Sequence, residues 1–304
     1  MNVDVLIATY NGEKYIARQL ESVLEQSYTK FKIYICDDCS TDGTVKIISD
    51  YAAKYSDKIS YIVNSKNSGS PRATFFKLIN RSTADYIFTA DQDDIWLKDK
   101  IKITLEAFNK EAFNKEVPIL VHTDLTVIDE HENIINQSMI KAQGIDVTKT
   151  DLNYLLVQNV VTGCSMAFNK ALLNILKEPS SLNVHDWWIA TLASIYGEIR
   201  FIDKPTLLYR QHDNNVCGSK DMKDGQYLLS RFKDNKRAKD MLSLGYSMAG
   251  ELMDKYDIPS KYKDMLIDYS DLRHKNKVSK LLTAFKYSIW KHGLVRKLGQ
   301  IYFM

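Results

Sequence analysis

The chain has 304 residues, 45% of them hydrophobic and 26% charged. That is the make-up of a globular protein long enough for one large core or two smaller ones. Its 41 lysines and arginines nearly cancel 38 aspartates and glutamates, so the net +3 singles out no partner. No apolar run reaches the ~18 residues of a spanning helix.

Val3–Thr9 reads as a buried strand closed by the turn Tyr10-Asn11-Gly12. The apolar run at its start lacks a basic flank and a small-residue cleavage site, which argues against a secretory signal. Ile16, Leu20, Val23 and Leu24 recur at helical spacing. Lys32–Cys36 is a second strand, Gly43–Lys54 a helix, Lys58–Val63 a strand, Pro71–Ile79 a helix and Asp85–Thr89 a strand. This β-α-β-α-β-α-β order predicts an α/β fold, a mostly parallel central sheet flanked by helices.

Residues 98–115 read as a helix containing a duplicated Glu-Ala-Phe-Asn-Lys, a local duplication without functional weight. Further strands are expected at Ile119–His122, Leu125–Asp129, Gly163–Phe168, Ile199–Ile202 and Leu207–Gln211, with a helix from Asp186 to about Ser194. From Lys220 onward helical patterns dominate. The expected division is a catalytic domain over 1–220 and a helical, basic C-terminal extension over 221–304.

In parallel sheets ligands bind beyond the carboxyl ends of the strands. Tyr10-Asn11, Asp37-Asp38 and Asp91-Gln92-Asp93-Asp94 each follow a strand, so all three clusters fall on one sheet edge. Three carboxylates within four residues repel one another unless something positive sits among them. Their oxygens suit a hard cation, Mg²⁺ or Mn²⁺, that shares its shell with a diphosphate. Asp37 and Asp38 exceed what a helix cap needs, and a carboxylate there could accept the N3–H of a uracil or thymine ring flanked by Tyr10. Arg210 suits phosphate recognition. His212 could complete the metal shell, touch the diphosphate or be structural. Of Trp187 and Trp188, one is expected in the core and one against a sugar ring, with Trp96 toward an acceptor. His122 and Asp124 follow a strand, where site role and turn chemistry cannot be separated.

The four cysteines are Cys36, Cys39, Cys164 and Cys217. No second pair completes a zinc set around Cys36-x-x-Cys39, and Asp37-Asp38 disfavours a reactive thiolate. A reduced cytoplasmic protein is the simpler expectation.

These blocks together resemble glycosyltransferase family 2, the inverting enzymes of the GT-A fold. The opening turn is Ala8-Thr9-Tyr10-Asn11-Gly12. The D-D-x-S-x-D block is Asp37-Asp38-Cys39-Ser40-Thr41-Asp42, with Cys39 where Gly or Asn is more usual. The N-x-G-x-x-x-A segment begins at Asn67, and the D-x-D is Asp91-Gln92-Asp93. The continuation through Ile95-Trp96 to Lys100, Thr162-Gly163-Cys164, His185-Asp186-Trp187-Trp188 and Tyr209 to Asn215 are similar to the rhamnosyltransferase-like branch. The likeness spans residues 2 to 220.

The resemblance implies that Ala8, Tyr10 and Asp38 hold the nucleotide base and that Asp91 lies by the ribose and diphosphate. Asp93 would ligate the metal, and Asp186 would be the base that deprotonates an acceptor hydroxyl. An N-cap role for Asp186 is compatible with this. The implied reaction moves a sugar, by first expectation rhamnose from dTDP-rhamnose, onto a cell-surface polysaccharide or lipid-linked glycan. A UDP-hexose or UDP-N-acetylhexosamine donor is the alternative. A non-catalytic glycan-binding module has no need of Asp93 and Asp186, and a nucleotidyltransferase would carry a Gly-rich basic loop after the first strand.

After Asp271 no acidic residue remains, while eight lysines and arginines follow. Val278, Leu281, Leu282, Phe285 and Ile289, then Leu294, Leu298 and Ile301, form an apolar helical stripe. Such a helix fits the cytoplasmic face of a membrane or a second subunit. Nucleic acid is not expected, because the basic residues avoid the ligand edge.

Overall fold

The computed structural model describes residues 1–109, 116–182, 184–211 and 235–304. The first half runs β1 (Val3–Thr9), α1 (Ile16–Leu24), β2 (Phe31–Asp37), α2 (Thr44–Lys54), β3 (Ile59–Val63), α3 (Pro71–Ile79) and β4 (Tyr86–Ala90). It follows the expected order, and Pro71 starts α3 where its missing N–H is harmless. A short β5 (Ile95–Trp96) and α4 (Lys100–Phe108) come next, then β6 (Ile119–Ile128), β7 (Ile134–Asn136), α5 (Met139–Gln143) and α6 (Leu152–Leu155). After them come β8 (Met166–Asn169), α7 (Lys170–Ile175), α8 (His185–Tyr196) and β9 (Glu198–Arg210). The second copy of the duplicated pentapeptide lies outside the described residues.

Among the described residues one sheet forms in the order β3-β2-β1-β4-β8-β6-β9-β5, with β7 on β6. The β3-β2-β1-β4 side is parallel throughout. Beyond it β8 runs antiparallel to both β4 and β6, while β6 and β9 are parallel. Side chains alternate across the sheet. Leu6, Cys36, Ile87 and Phe168 enter one core cluster with α3 and α8, and Val5, Ile7, Ile35 and Phe88 enter the other with α1 and α4.

Three sequence expectations need correction. Ile119–His122 and Leu125–Asp129 are one strand, β6, and the two strands expected between Ile199 and Gln211 are β9 alone. Asp124 and Pro205, which look like breaks, sit opposite each other at a register shift that absorbs the proline's missing donor. The strand expected at Gly163 starts only at Met166, because Gly163–Ser165 form a 3₁₀ turn.

The tail is helical: α9 (Asn235–Lys255), α10 (Ser260–Ser270), α11 (Lys277–Lys286) and α12 (Leu294–Phe303). Tyr246, Met248, Leu252, Tyr269 and Ile289 share one buried cluster with Trp187, Trp188 and Leu192 of α8. A Cβ at Gly245 would lie 2.3 Å from the Leu156 carbonyl oxygen, so only glycine lets α9 pack that closely. Among the described residues no helix is long and apolar enough to cross a membrane.

Candidate active site

The carboxyl ends of β1 and β2 are laced together by side chains. Buried Asp37 accepts the Thr9 hydroxyl at 2.8 Å and the Ser40 amide at 2.8 Å. Asn11 donates its amide to Ser40 Oγ and accepts the Thr41 amide, and the Gly12 amide meets Thr44 Oγ1. Asp37 is thus a brace. Asp38 accepts Asn64 Nδ2 at 2.6 Å, the Ser68 hydroxyl at 2.8 Å and the shared Ser68 amide. These contacts fix the Asp38 carboxylate beside the end of β2. Ala8, next to last in β1, pairs with Cys36, and Tyr10 just beyond the strand is exposed.

Asp91-Gln92-Asp93-Asp94 follows β4, and Gln92 fastens it to β1. The Gln92 side chain accepts the Tyr10 amide at 2.8 Å and donates to the Tyr10 carbonyl at 3.0 Å. A Cβ on Gly12 would come within 2.3 Å of Gln92 Oε1, so a side chain there would push this clasp aside. Burial, then the charges of Asp93 and Asp186, raise Asp91 to about 7. Ligand atoms of Asp91, Asp94 and Cys164 lie within 4.8 Å of one another. Asp94 is buried and pushed well up by that burial, although the Cys164 thiol and the Arg210 amide both donate to it.

Under this acidic run lies fully buried Lys100, the last residue of the motif. Its Nζ is 3.3 Å from Thr206 Oγ1, 3.4 Å from the Ser165 carbonyl and 5.0 Å from the Trp96 ring centroid. Burial pulls its ammonium down to about 8, while Cys164 and Asp94 oppose that shift. A buried cation here offsets part of the repulsion among the aspartates. Sequence reading quoted Lys100 as a motif member without assigning it this work.

Asp186 stands in the first turn of α8. Burial raises it to about 6, against the lowering by N–H groups of Trp187, Gly163 and Asp186 itself and by the Asn159 side chain. The Trp187 amide is 2.7 Å from Oδ1. Gly163 is where it is because of this packing: a Cβ there would meet His185 Cε1 at 2.9 Å. His185 is itself buried against Phe75, ring centroids 3.8 Å apart, and burial drops its imidazole to about 3. Thr89 of β4 holds the Gly163 carbonyl at 2.6 Å. The structure therefore brings both Asp93 and Asp186 within electrostatic range of Asp91. No sequence signal pointed to Asn159.

Other candidates land elsewhere. Arg210 is buried, with Nε 3.0 Å from the Asp93 carbonyl and its Nη atoms on the carbonyls of Asp129 and Glu130 and on Glu132 Oε1. This guanidinium clamps the acidic run to the β6–β7 turn. Trp187 and Trp188 are both buried, their indole N–H groups on the carbonyls of Leu155 and Lys177. Neither offers a face to a sugar, and Trp96 is equally buried against Phe88. His122 and Asp124 lie inside β6; Asp124 holds Ser138 and the Ile140 amide, which is turn chemistry. Cys36 and Cys39 are free thiols, Cys36 pushed up to about 11 by burial. His212 and Cys217 lie outside the described residues.

Comparison with known proteins supplies the identity. The model of the family "Glycosyl transferase family 2" matches residues 4–175. The dTDP-rhamnosyl transferase RfbG of Shigella flexneri is 30% identical over 220 residues, 70% of this chain and 74% of RfbG. The poly(ribitol-phosphate) β-N-acetylglucosaminyltransferase TarS of Staphylococcus aureus is 35% identical over 154 residues, 49% of this chain and 25% of TarS. The crystal structure of TarS 1–349 with UDP superposes with a TM-score of 0.59 at 20% identity, covering 90% of this chain and 72% of that one. The mannosyltransferase PcManGT from Pyrobaculum calidifontis, in complex with GDP-Man and Mn²⁺, gives 0.52 at 17%, covering 94% and 73%. At such identities the structural likeness speaks for the GT-A fold alone. The chain belongs to glycosyltransferase family 2 and is a glycosyltransferase.

Proposed function

We propose that this enzyme moves rhamnose from dTDP-rhamnose, with inversion, to a hydroxyl of a cell-surface polysaccharide or lipid-linked glycan. One observation supports the chemistry: Asp186 on α8 packs against Gly163, whose carbonyl is bonded to Thr89 of β4, and its charge reaches Asp91 in the run that follows that strand. The sugar assignment rests on the likeness to RfbG over 220 residues. The relationship to TarS keeps a UDP-N-acetylhexosamine donor as the second reading.

In this reading Ala8, Tyr10 and Asp38 receive the base, and Asp91 reaches the ribose and diphosphate. The donor set fits a divalent cation, Mg²⁺ or Mn²⁺. Carboxylate oxygens suit a hard ion, whereas the buried Cys164 thiol does not. Asp93 would hold the ion, with His212 a candidate second ligand; when bound it would supply positive charge to the leaving diphosphate. Arg210 and Gln92 keep the run in place from behind. Asp186, raised to about 6, is ionised at neutral pH yet basic enough to take the proton of an acceptor hydroxyl. That oxygen attacks the anomeric carbon opposite the departing diphosphate.

A donor panel tests the assignment. dTDP-rhamnose should give the largest thermal shift and the fastest metal-dependent hydrolysis, above UDP-galactose and UDP-GlcNAc. A response to a UDP-sugar with none to dTDP-rhamnose would replace the donor.

A further inference from the structure

We propose that α11 and α12 form a docking face for an anionic lipid bilayer. Of the fifteen large apolar side chains exposed among the described residues, eight lie between Ile267 and Tyr302. On α11, Val278, Leu282 and Phe285 are 64%, 65% and 65% exposed, while Ala284 is buried. On α12, Leu294, Leu298 and Tyr302 are 74%, 52% and 65% exposed. Spacings of four and three residues on α11, and of four and four on α12, put each trio on one helix face. The helices are neighbours: Lys277 Nζ reaches the Tyr302 carbonyl at 3.2 Å, and Trp290, between them, meets Phe285 at 5.0 Å. Lys297 lies 4.6 Å above the Trp290 ring.

The rest of the tail folds inward, so this stripe is not left over from a poorly packed segment. Ile289 and Trp290 are buried in the shared core, and the His292 amide donates to Gln158 Oε1 at 3.0 Å. Contiguous apolar surface rimmed by polar groups marks an interaction site. Charge selects the occupant. Residues 272–304 carry eight lysines and arginines and no acidic side chain; Lys275 and Lys286 pair with Asp271 and Asp268, and the others exceed the local acidic charge. A two-fold contact between copies would set this cationic face against itself. Nucleic acid would use the cations but leave the leucines and Phe285 in water. Anionic headgroups above an acyl boundary complement both. The proposal does not depend on which sugar the enzyme moves.

The full chain should be sedimented with phosphatidylcholine vesicles that contain or lack phosphatidylglycerol. The expected result is retention only with phosphatidylglycerol, diminished by added salt. The double variant Leu282→Glu, Leu298→Glu should bind about tenfold less, with an unchanged melting temperature because both side chains are exposed. Equal retention of the two proteins would overturn the proposal. So would sedimentation velocity showing a wild-type dimer that the variant breaks, without vesicle binding by either.

Discussion

The two halves of the sheet build their shares of the site by different means. Around β1, β2 and β4 each residue that faces the ligand edge lies within a few positions of a strand end. Hydrogen bonds between loops hold it there, as Gln92 does across to Tyr10 and Asp38 to Ser68. On the other side Asp186 is placed by contact of buried bodies: Gly163 against His185, His185 against Phe75. A hydrogen-bonded loop gives up one bond at a time, whereas a packed element passes a change of volume straight to the chemistry.

The largest test of that contrast is Asp186→Asn. Transfer should fall by about 10²–10⁴-fold, the span of general-base catalysis, while donor binding is retained. Lost donor binding would instead assign Asp186 to the donor side. In the wild type kcat/KM should rise with pH through about 6 as the carboxyl ionises. Stability runs the other way. The unfolded carboxyl titrates near 3.8 and the folded one near 6, so the fold is favoured below the lower value and loses that advantage as pH climbs to the upper one. Above it Asp186→Asn should therefore be more stable, by the order of 1–2 kcal/mol once partial screening is allowed for. An unchanged melting temperature would show that the carboxylate bears no burial penalty.

A matched pair then sets packing against bonding. Gly163→Ala should cost roughly 1–3 kcal/mol through crowding at His185 and slow turnover by about 10²-fold if the base shifts by an ångström. Gln92→Ala removes two hydrogen bonds, about 1 kcal/mol each, and should chiefly raise KM for the donor. The same kinetic signature in both variants would erase the distinction. The smallest effect is expected at Cys39, whose φ of 68° lies in the left-handed region. Cys39→Gly removes that strain and should stabilise the protein by about 1 kcal/mol, measured by denaturant melting.

The same contrast explains what the amino-acid order reveals. The alternation of strands and helices through Ala90, and the polar turn after β1, β2 and β4, are local and were legible. The occupancy of Cys39 also becomes intelligible: glycine or asparagine is usual there because the backbone turns left-handed. The continuity of β6 and β9 was hidden, since Asp124 and Pro205 read as breaks until they are seen facing each other. The inward turn of Trp187 and Trp188 depends on the tail that covers them, and the clamp made by Arg210 depends on the β6–β7 turn. Asn159 reaches Asp186 only through tertiary folding, so no spacing could announce it.

The tight seam at Gly245 bears on how the enzyme is made. α8, which carries Asp186, is roofed by α9 and the helices after it, and these leave the ribosome after α8 does. A nascent chain that ends before Gly245 still has Trp187 and Trp188 without their cover. Completion of the packing around α8 thus waits on the segment from Gly245 onward, and a partly synthesised enzyme offers chaperones an apolar surface that the folded one conceals.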